Sequence, residues 1–364
     1  MNIRDLTPEW REAWNQFCLD SPDGWHRHTT EWLEYTLAYK PELNSSSTSF
    51  LVTYQKEPIA ICPLVLEDYD NHTEFSFGGG YGPSPAFWLN DEDQLSIDSL
   101  MSMVFKEIDR RADNLGVSRI RMSIPPLTRR TGPLSEYNYL TRYNFVDSST
   151  ITCIVDLELD LEVIKSNMSK GFRQSLESGL ERYDGTVYDH TNVDARSFNN
   201  YKQLHIEDAG RQTRPDETFE LMEDWITQDR AFLIGVYEGA NPVGFAYFTV
   251  LNKRVYYASS CRDPDPHVYH GPIGHFAQWV AIEYMKDRGY IKYEVGDVDG
   301  PSTFPNPPTR KQIDIGRFKK AVGGGLQTHY RGCKFYNEDY LGQELMDELS
   351  SLKINLFDGA SCHG

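Results

Sequence analysis

The sequence predicts a mixed α/β protein built as two similar lobes, and three observations support this fold class. Its 364 residues suit two domains of ordinary size. An approximate internal repeat divides the chain into halves with the same order of strands and helix. A segment with one apolar stripe and several basic residues lies between these halves. We therefore expect two lobes, each a mixed and mostly antiparallel sheet flanked by helices, joined by a basic helix.

Each half opens with two apolar runs separated by a short turn. In the first half the runs occupy 49–54 and 58–66, and in the second half they occupy 231–237 and 242–250. The turns between them contain Gly, Pro, Asn or charged residues, a composition typical of β-hairpins. The sequence therefore predicts a hairpin near the start of each half.

A third strand, a helix and a closing strand follow each hairpin. They are predicted at 73–77, 94–115 and 117–122 in the first half, and at 254–258, 273–288 and 290–295 in the second. A Gly-Pro pair separates the third strand from the helix in both halves. Each helix is followed by a glycine, Gly116 or Gly289, which suits the left-handed position that ends a helix. Each half is thus expected to be β-β-β-α-β.

The segment between the halves is predicted to be an amphipathic connecting helix. Its apolar residues recur every fourth position from Ile164 to Leu180, and Arg173 lies off this stripe. We expect the helix to connect the lobes and to dock on the second one. The alternative is that its basic side contacts the phosphates of a substrate. The predicted organisation is a first lobe at 1–155, the connecting helix at 156–182, a second lobe carrying the donor site at 183–340, and a C-terminal helix and tail at 341–364.

Composition narrows the class of protein. Hydrophobic residues make up 39% and charged residues 25% of the chain, as in folded globular proteins. The first residues contain no apolar signal region, and no window approaches 18 uncharged apolar residues, so we expect a cytoplasmic protein. The six cysteines are widely spaced without a CxxC pair, which is typical of reduced thiols and argues against a zinc knuckle.

The charge is strongly acidic overall but locally basic. A net charge of −18 disfavours a general nucleic-acid binder. Between residues 310 and 334, however, seven Lys or Arg residues face a single Asp, which gives seven minus one, or +6, in this stretch. An anionic substrate would be attracted to this patch.

Five local motifs lie in order along the chain, at 25–33, 77–83, 167–179, 293–297 and 313–324. In this order they resemble the Fem family of non-ribosomal aminoacyl and peptidyl transferases and related N-acyltransferases. The first resembles the family's N-terminal aromatic segment, with His28 where Gln is usual. The last resembles its Phe-Lys-x-x-aromatic-Gly-Gly segment and is the most specific match. The resemblance implies a tandem GNAT-like fold and transfer of an activated acyl or aminoacyl group.

In the Fem family the Phe-Lys pair stands near the donor ester, which here falls on Phe318 and Lys319. The departures are Asp297 in place of Gly and Val322 in place of an aromatic residue. The lysine that grips a sugar-nucleotide diphosphate in peptidoglycan-directed members has no clear counterpart, because Thr36 or Lys40 falls near its position. The sequence also lacks the Gly-rich turn that holds the pyrophosphate of CoA in simple GNATs. No cofactor is expected.

Three residues are the candidate catalytic groups. Lys319 is the candidate for stabilising an oxyanion or a phosphate, with Phe318 beside it to stack on a base or sugar. Residues three apart on a strand point to opposite faces, so only one of Glu294 and Asp297 is expected to face the cleft. Asp297 is preferred because it opens the irregular loop that follows the strand. The polar segment after His205 suggests a base and an arginine fork for the acceptor. The candidate substrate-binding residues are His205, Arg211, Arg214, Tyr256, Tyr257, Arg317, Lys320, Arg310, Lys311 and Arg173.

Each of these candidates has a structural alternative, such as helix capping, core packing or a solvated helix face. No metal site is predicted, because His267, His270 and His275 lack a partner at metal-ligand spacing. The favoured activity is amide formation from aminoacyl-tRNA and an amine. The alternatives are acyl-CoA-dependent N-acylation of an amino sugar of a surface glycan, and a catalytically silent binding protein with the same fold.

Overall fold

The computed structural model of the chain describes residues 1–89, 96–128, 137–265, 271–298 and 308–358. Within these residues the α-helices are α1 Arg11–Asp20, α2 Thr30–Tyr39, α3 Ile97–Leu115, α4 Leu161–Asn167, α5 Lys170–Arg182, α6 Ala195–Ala209, α7 Asp216–Thr227, α8 Ile273–Asp287, α9 Arg310–Ala321 and α10 Glu338–Asp358. None of these helices is both long and apolar enough to cross a membrane.

The strands fall into two groups along the chain. Those of the first half are β1 Asn2–Asp5, β2 Ser46–Ser47, β3 Phe50–Tyr54, β4 Glu57–Cys62, β5 Val65–Tyr69, β6 His72–Phe75, β7 Gly82–Pro83, β8 Ala86–Phe87, β9 Val117–Ser123 and β10 Val146–Asp147. The later ones are β11 Thr150–Asp156, β12 Asp184–Tyr188, β13 Ala231–Glu238, β14 Asn241–Leu251, β15 Arg254–Arg262, β16 Lys292–Asp297, β17 Gly325–His329 and β18 Arg331–Phe335.

The first lobe contains two sheets, where the sequence predicted one. The smaller sheet has the order β1-β3-β4-β8, and the larger has the order β10-β18-β9-β6-β5-β2, with β7 beside β9. Pro63 explains the division, because proline cannot donate to a ladder and interrupts the predicted run at 58–66 between β4 and β5. Helix α3 packs its apolar face on both sheets, with Leu100, Val104 and Ile108 fully buried.

The second lobe is one seven-stranded sheet with the order β12-β13-β14-β15-β16-β11-β17. Its pairs are antiparallel except for β15 and β16, which run parallel from Arg254 and Lys292 to Tyr256 and Glu294. Helices α5 and α8 cover one face of this sheet, and α6 and α7 cover the other face together with α2 of the first lobe. Both lobes are therefore mixed, mostly antiparallel α/β units, as predicted.

Near each predicted lobe boundary, one strand joins the sheet of the other lobe. Strand β11, most of which lies before the boundary at 155, pairs with β16 and β17 of the second sheet. Strand β18, which lies before residue 340, inserts between β10 and β9 of the first lobe. The chain thus crosses from the second sheet to the first at a single residue, Tyr330. Sequence alternation predicts the face of a strand, and it does not predict which sheet the strand joins.

The predicted connecting helix is divided into α4 and α5. Ser169 breaks it, because its side chain accepts a hydrogen bond from the Phe172 N–H and caps the start of α5. The predicted apolar stripe is confirmed, since Ile164, Met168, Phe172 and Leu176 are all buried, although Leu180 is exposed. Arg173 donates to the carbonyl oxygens of Ser166 and Met168 at the end of α4, a capping contact.

Candidate active site

A small cavity lies where the two lobes meet, at the carboxyl end of β16. The first lobe supplies one wall and the second lobe the other, and His329 comes from the strand next to the crossing point. The cavity measures about 40 Å³, which is room for a water molecule or the end of a larger ligand. Its lining residues are Trp25, Arg27, Ser123, Pro125, Pro126, Tyr256, Glu294, Asp297 and His329.

A short helical turn before α2 positions the first-lobe wall. His28 fixes this turn, because its Nδ1 accepts from the Trp25 N–H at 3.1 Å and its Nε2 bonds the Ser84 carbonyl oxygen at 2.8 Å. Arg27 then projects over the ring of Tyr256, with 4.9 Å between guanidinium carbon and ring centroid. The residue that stands in place of the family's Gln therefore holds the loop that carries Arg27.

A β-bulge in β16 forms the second-lobe wall. Against β11, Cys153 pairs with Gly296 and Ile154 pairs with Glu294, so Val295 is an extra residue. Gly296 adopts a φ of +106°, a conformation that L side chains rarely take. The extra residue reverses the alternation of side chains. The prediction that Glu294 and Asp297 point to opposite faces is therefore wrong, and both carboxyls line the cavity.

Asp297 is held by basic side chains from the strand-crossing region. His329 Nδ1 lies 2.7 Å from one carboxylate oxygen, and Arg331 donates to the other at 3.3 Å. Burial disfavours the charged carboxylate, but His329, Arg331 and Lys319 outweigh it and hold the pKa of Asp297 well below its usual range. Asp297 is therefore a stable anion at neutral pH.

For Glu294, the effect of burial on the pKa outweighs that of the nearby cations. It is 3% exposed, and Thr152 donates a hydroxyl hydrogen bond of 2.9 Å to it. Burial and the negative charge of Asp297 raise the pKa of Glu294 above its ordinary value, against the lowering effects of His329 and Arg27. Two adjacent carboxyls thus have pKa values shifted in opposite directions, an arrangement typical of acid–base sites.

The structure brings Lys319 to this site. On α9, the Lys319 ammonium lies over Gly296, such that a Cβ added to Gly296 would be 2.7 Å from Lys319 Nζ. Phe318, the preceding residue, packs away from the cavity against Phe172 and His275, with ring centroids 5.9 and 5.3 Å apart. Lys319 and Asp297 are therefore neighbours, whereas Phe318 is half-buried beside α5 and α8.

The two tyrosines of β15 face in opposite directions. Tyr256 lines the cavity and stands opposite Glu294 in the strand pair, whereas Tyr257 packs against Phe248 on the other face of the sheet, beneath α8. Their alternation on the strand produces this difference. Only Tyr256 of this pair is in a position to contact a molecule in the cavity.

His205, Arg211 and Arg214 lie away from the cavity, near α2 and α7. Arg214 bonds His205 Nε2 at 3.1 Å and the Tyr35 hydroxyl at 3.0 Å, whereas Arg211 is exposed. Burial, together with the positive charge of Arg214, lowers the pKa of His205 to about 4. These contacts fit packing between the lobes, and they leave His205 neutral at physiological pH.

The predicted basic patch is dispersed over several surfaces. Arg310, Lys311, Arg317 and Lys320 are exposed on α9, and Arg317 pairs with Asp314 at 2.9 Å. Arg331 turns inward to Asp297, and Lys334 pairs with Asp109 of the first lobe at 2.6 Å. The exposed part of the patch is therefore the surface of α9 alone.

Glu294, Asp297 and His329 approach one another closely enough for a metal ion, since one ligand atom of each lies within 4.8 Å of the others. Hydrogen bonds already engage part of this set, however, because both oxygens of Asp297 are bonded, to His329 and Arg331, and one oxygen of Glu294 is bonded to Thr152. The nearby cations would also repel a metal ion. Of the histidines considered for zinc, His267 and His270 lie outside the described residues, and His275 contacts Phe172 and Phe318.

Sequence reasoning missed several residues of the site, some that line the cavity and one, Thr152, that bonds a lining residue. Arg27 lies inside the motif at 25–33, but nothing in that motif indicated a cleft position. His329 belongs to none of the sequence motifs, and it lies beside Asp297 because the chain crosses between the sheets at the next residue. Nothing in the sequence distinguishes Thr152 from other strand residues, and it reaches Glu294 only because β11 pairs with β16 in the second sheet. The sequence does contain a signal for Glu294, because Glu294 is one of two acidic residues on this strand.

The fold and the cleft between lobes define a tandem GNAT-like architecture of the Fem type. Among solved structures, the chain is similar to FemX, with a TM-score of 0.65 and 14% identity over 94% of this chain and 99% of that one. It is also similar to the C-terminal domain of a protein described as a lysylphosphatidylglycerol synthetase from Agrobacterium fabrum, with a TM-score of 0.57 and 12% identity over 93% and 95%.

A third similar structure is L-PGS from Bacillus licheniformis, with a TM-score of 0.54 and 13% identity over 87% of this chain and 95% of that one. At these identities the likeness concerns the fold. A scan against protein-family models finds no match, and a search of curated proteins finds none.

Proposed function

We propose that the protein transfers an activated acyl or aminoacyl group to an amine and forms an amide in the cavity between its lobes. The observation that carries this proposal is that Lys319 lies over Gly296 at the bulge of β16, beside the half-buried Asp297 and next to the buried Glu294. Acyl transfer to an amine requires a positive charge and a proton acceptor, and here the carboxyls line the cavity while the ammonium lies at the bulge beside them.

The proposed roles follow from the chemistry of amide formation. The attacking amine must lose a proton, and the tetrahedral intermediate carries an oxyanion that needs positive charge beside it. Lys319 would stabilise that oxyanion. The negative charge of Asp297 would attract the Lys319 ammonium and help to hold it in place. Tyr256 and Trp25 would form walls around the amine.

Aminoacyl-tRNA is the proposed donor, held on the second lobe. The exposed cations of α9 form a surface for phosphates that leads to Lys319. In addition, the Phe318 ring lies against the first turn of α8, where a Cβ on Gly274 would be 3.3 Å from Phe318 Cζ. That ring covers the helix start at which CoA phosphates would need exposed amides. Acyl-CoA remains the alternative donor, with an amino sugar as acceptor.

A transfer assay tests the proposal. The full chain is incubated with alanyl-tRNA or acetyl-CoA and with diglycine or glucosamine, and products are followed by mass spectrometry. We expect transfer that RNase abolishes, whereas RNase-insensitive transfer from acetyl-CoA would support the alternative donor. Lys319→Ala should lower kcat about 10²–10³-fold through the lost oxyanion contact, whereas Lys106→Ala, an exposed control on α3, should not.

The rival function is binding without catalysis. Phe318→Ala and Lys319→Ala separate the two, because both alter the region that would hold the donor. If the wild type transfers from neither donor, and both variants bind alanyl-tRNA and acetyl-CoA as the wild type does, the assignment of this cleft is wrong.

A further inference from the structure

The cavity contains two carboxyls, but their surroundings suit them to different tasks. Asp297 has each oxygen engaged, one by His329 and the other by Arg331, and Lys319 lies nearby. A carboxylate held in this way by cations is a weak base. Glu294 has a neutral donor, Thr152, and lines the cavity beside Asp297.

We propose that Glu294 is the group that accepts a proton from the acceptor amine, and that the amine enters between Arg27, Tyr256 and Glu294. The inference rests on the proposed function and names the base for that reaction. The small volume of the cavity supports it, because about 40 Å³ admits the amine end of an acceptor and little more. The bulge at Val295 and Gly296 turns Glu294 into this space.

The step is balanced without a further reactant. The neutral amine attacks the donor carbonyl carbon, a C–N bond forms, and the carbonyl electron pair moves to oxygen beside Lys319. One N–H proton passes to the Glu294 carboxylate. As the intermediate collapses, the bond from carbon to the leaving oxygen or sulfur breaks, and that atom takes the proton from Glu294.

The groups that face Glu294 determine how it titrates. Arg27 approaches from the first lobe, Tyr256 from β15, Asp297 from β16 itself, and His329 from β17. Burial and Asp297 favour the protonated form of Glu294, and His329 and Arg27 favour the ionised form. Because the net effect raises the pKa, Glu294 is a stronger base than an exposed carboxylate once it has ionised.

The test compares Glu294→Gln with the wild type, using alanyl-tRNA or acetyl-CoA with diglycine or glucosamine, whichever pair the wild type turns over. Gln keeps the shape and can still accept from Thr152. We expect kcat to fall about 10²–10⁴-fold, the usual contribution of a general base, with the KM for the amine changed less than threefold. The acidic limb of the wild-type kcat profile should disappear in Glu294→Gln and return in part in Glu294→Asp.

Glu107→Gln is the matched control, because Glu107 is a buried glutamate on α3 that pairs with Arg111 and does not line the cavity. It should keep the wild-type kcat and the acidic limb, and thermal unfolding should show both Gln variants to be folded. If the wild type is active and Glu294→Gln stays within threefold of its kcat, Glu294 is not the base. If the wild type transfers nothing from either donor, the proposed function and this inference fall together.

Discussion

Replacing Gly296 with alanine tests whether the bulge in β16 builds the site. The φ of +106° at this position is strained for any L side chain, which costs about 1–3 kcal/mol. The added Cβ would also lie 2.7 Å from Lys319 Nζ, the flexible end of its side chain, so the ammonium would move. We expect unfolding by urea to show a loss of about 1–3 kcal/mol and transfer to fall by about 10²–10³.

Gly116→Ala separates the backbone effect from the effect on Lys319. Gly116 has a φ of +66° after α3, and an added Cβ there would meet nothing within 4 Å. Its alanine variant should lose about 1–2 kcal/mol through the left-handed backbone alone, and it should keep its transfer rate. The reasoning is refuted if Gly296→Ala transfers like the wild type, or if Gly116→Ala loses as much activity as Gly296→Ala.

Three further predictions concern charge. Burial opposes ionisation of Asp297, but its basic neighbours lower the pKa. The stabilisation that ionised Asp297 provides should therefore be complete above about pH 4 and be lost as the pH falls toward the lowered pKa. In Asp297→Asn, the free energy of unfolding should depend less on pH in that acidic range. Ionised Glu294 has the opposite effect on stability, because burial penalises its charge and raises its pKa. Glu294→Gln should therefore have a higher Tm than the wild type at pH 8. Arg317→Ala, at an exposed ion pair, should change stability by less than about 0.5 kcal/mol, but it should reduce the salt dependence of transfer if tRNA is the donor; an unchanged salt slope would exclude this contact.

The sequence predicted those parts of the fold that have local causes. Helices α3 and α8 lie where the periodicity placed them, and Gly116 and Gly289 take the left-handed conformation with φ of +66° and +68°. The hairpin of β13 and β14 is also confirmed. These elements depend on residues within a few positions of one another, and such short-range patterns are visible in a single sequence.

The rest of the site depends on distant pairings that periodicity does not encode. The extra residue Val295 is recognised only from the register against β11, and it reverses the predicted direction of Glu294. His329 reaches Asp297 because the chain changes sheets at Tyr330. Arg214 forms contacts with Tyr35 of the first lobe that no pattern near either residue indicates. The basic patch was visible as a count of charges, but its division among surfaces required the tertiary structure.

The exchange of β11 and β18 has a consequence for how the protein is made. The first lobe lacks the strand between β10 and β9 until residues 331–335 have been synthesised, and the second lobe lacks its edge strand until 325–329 have been synthesised. Chains emerge from the ribosome with their N-terminal domain first, and many proteins fold in that order. Here neither lobe can finish folding early, so both become complete within the same few residues of synthesis. The pair of Asp297 and His329 is assembled in that final step, and a truncated chain would expose the unpaired edge of β9 to aggregation.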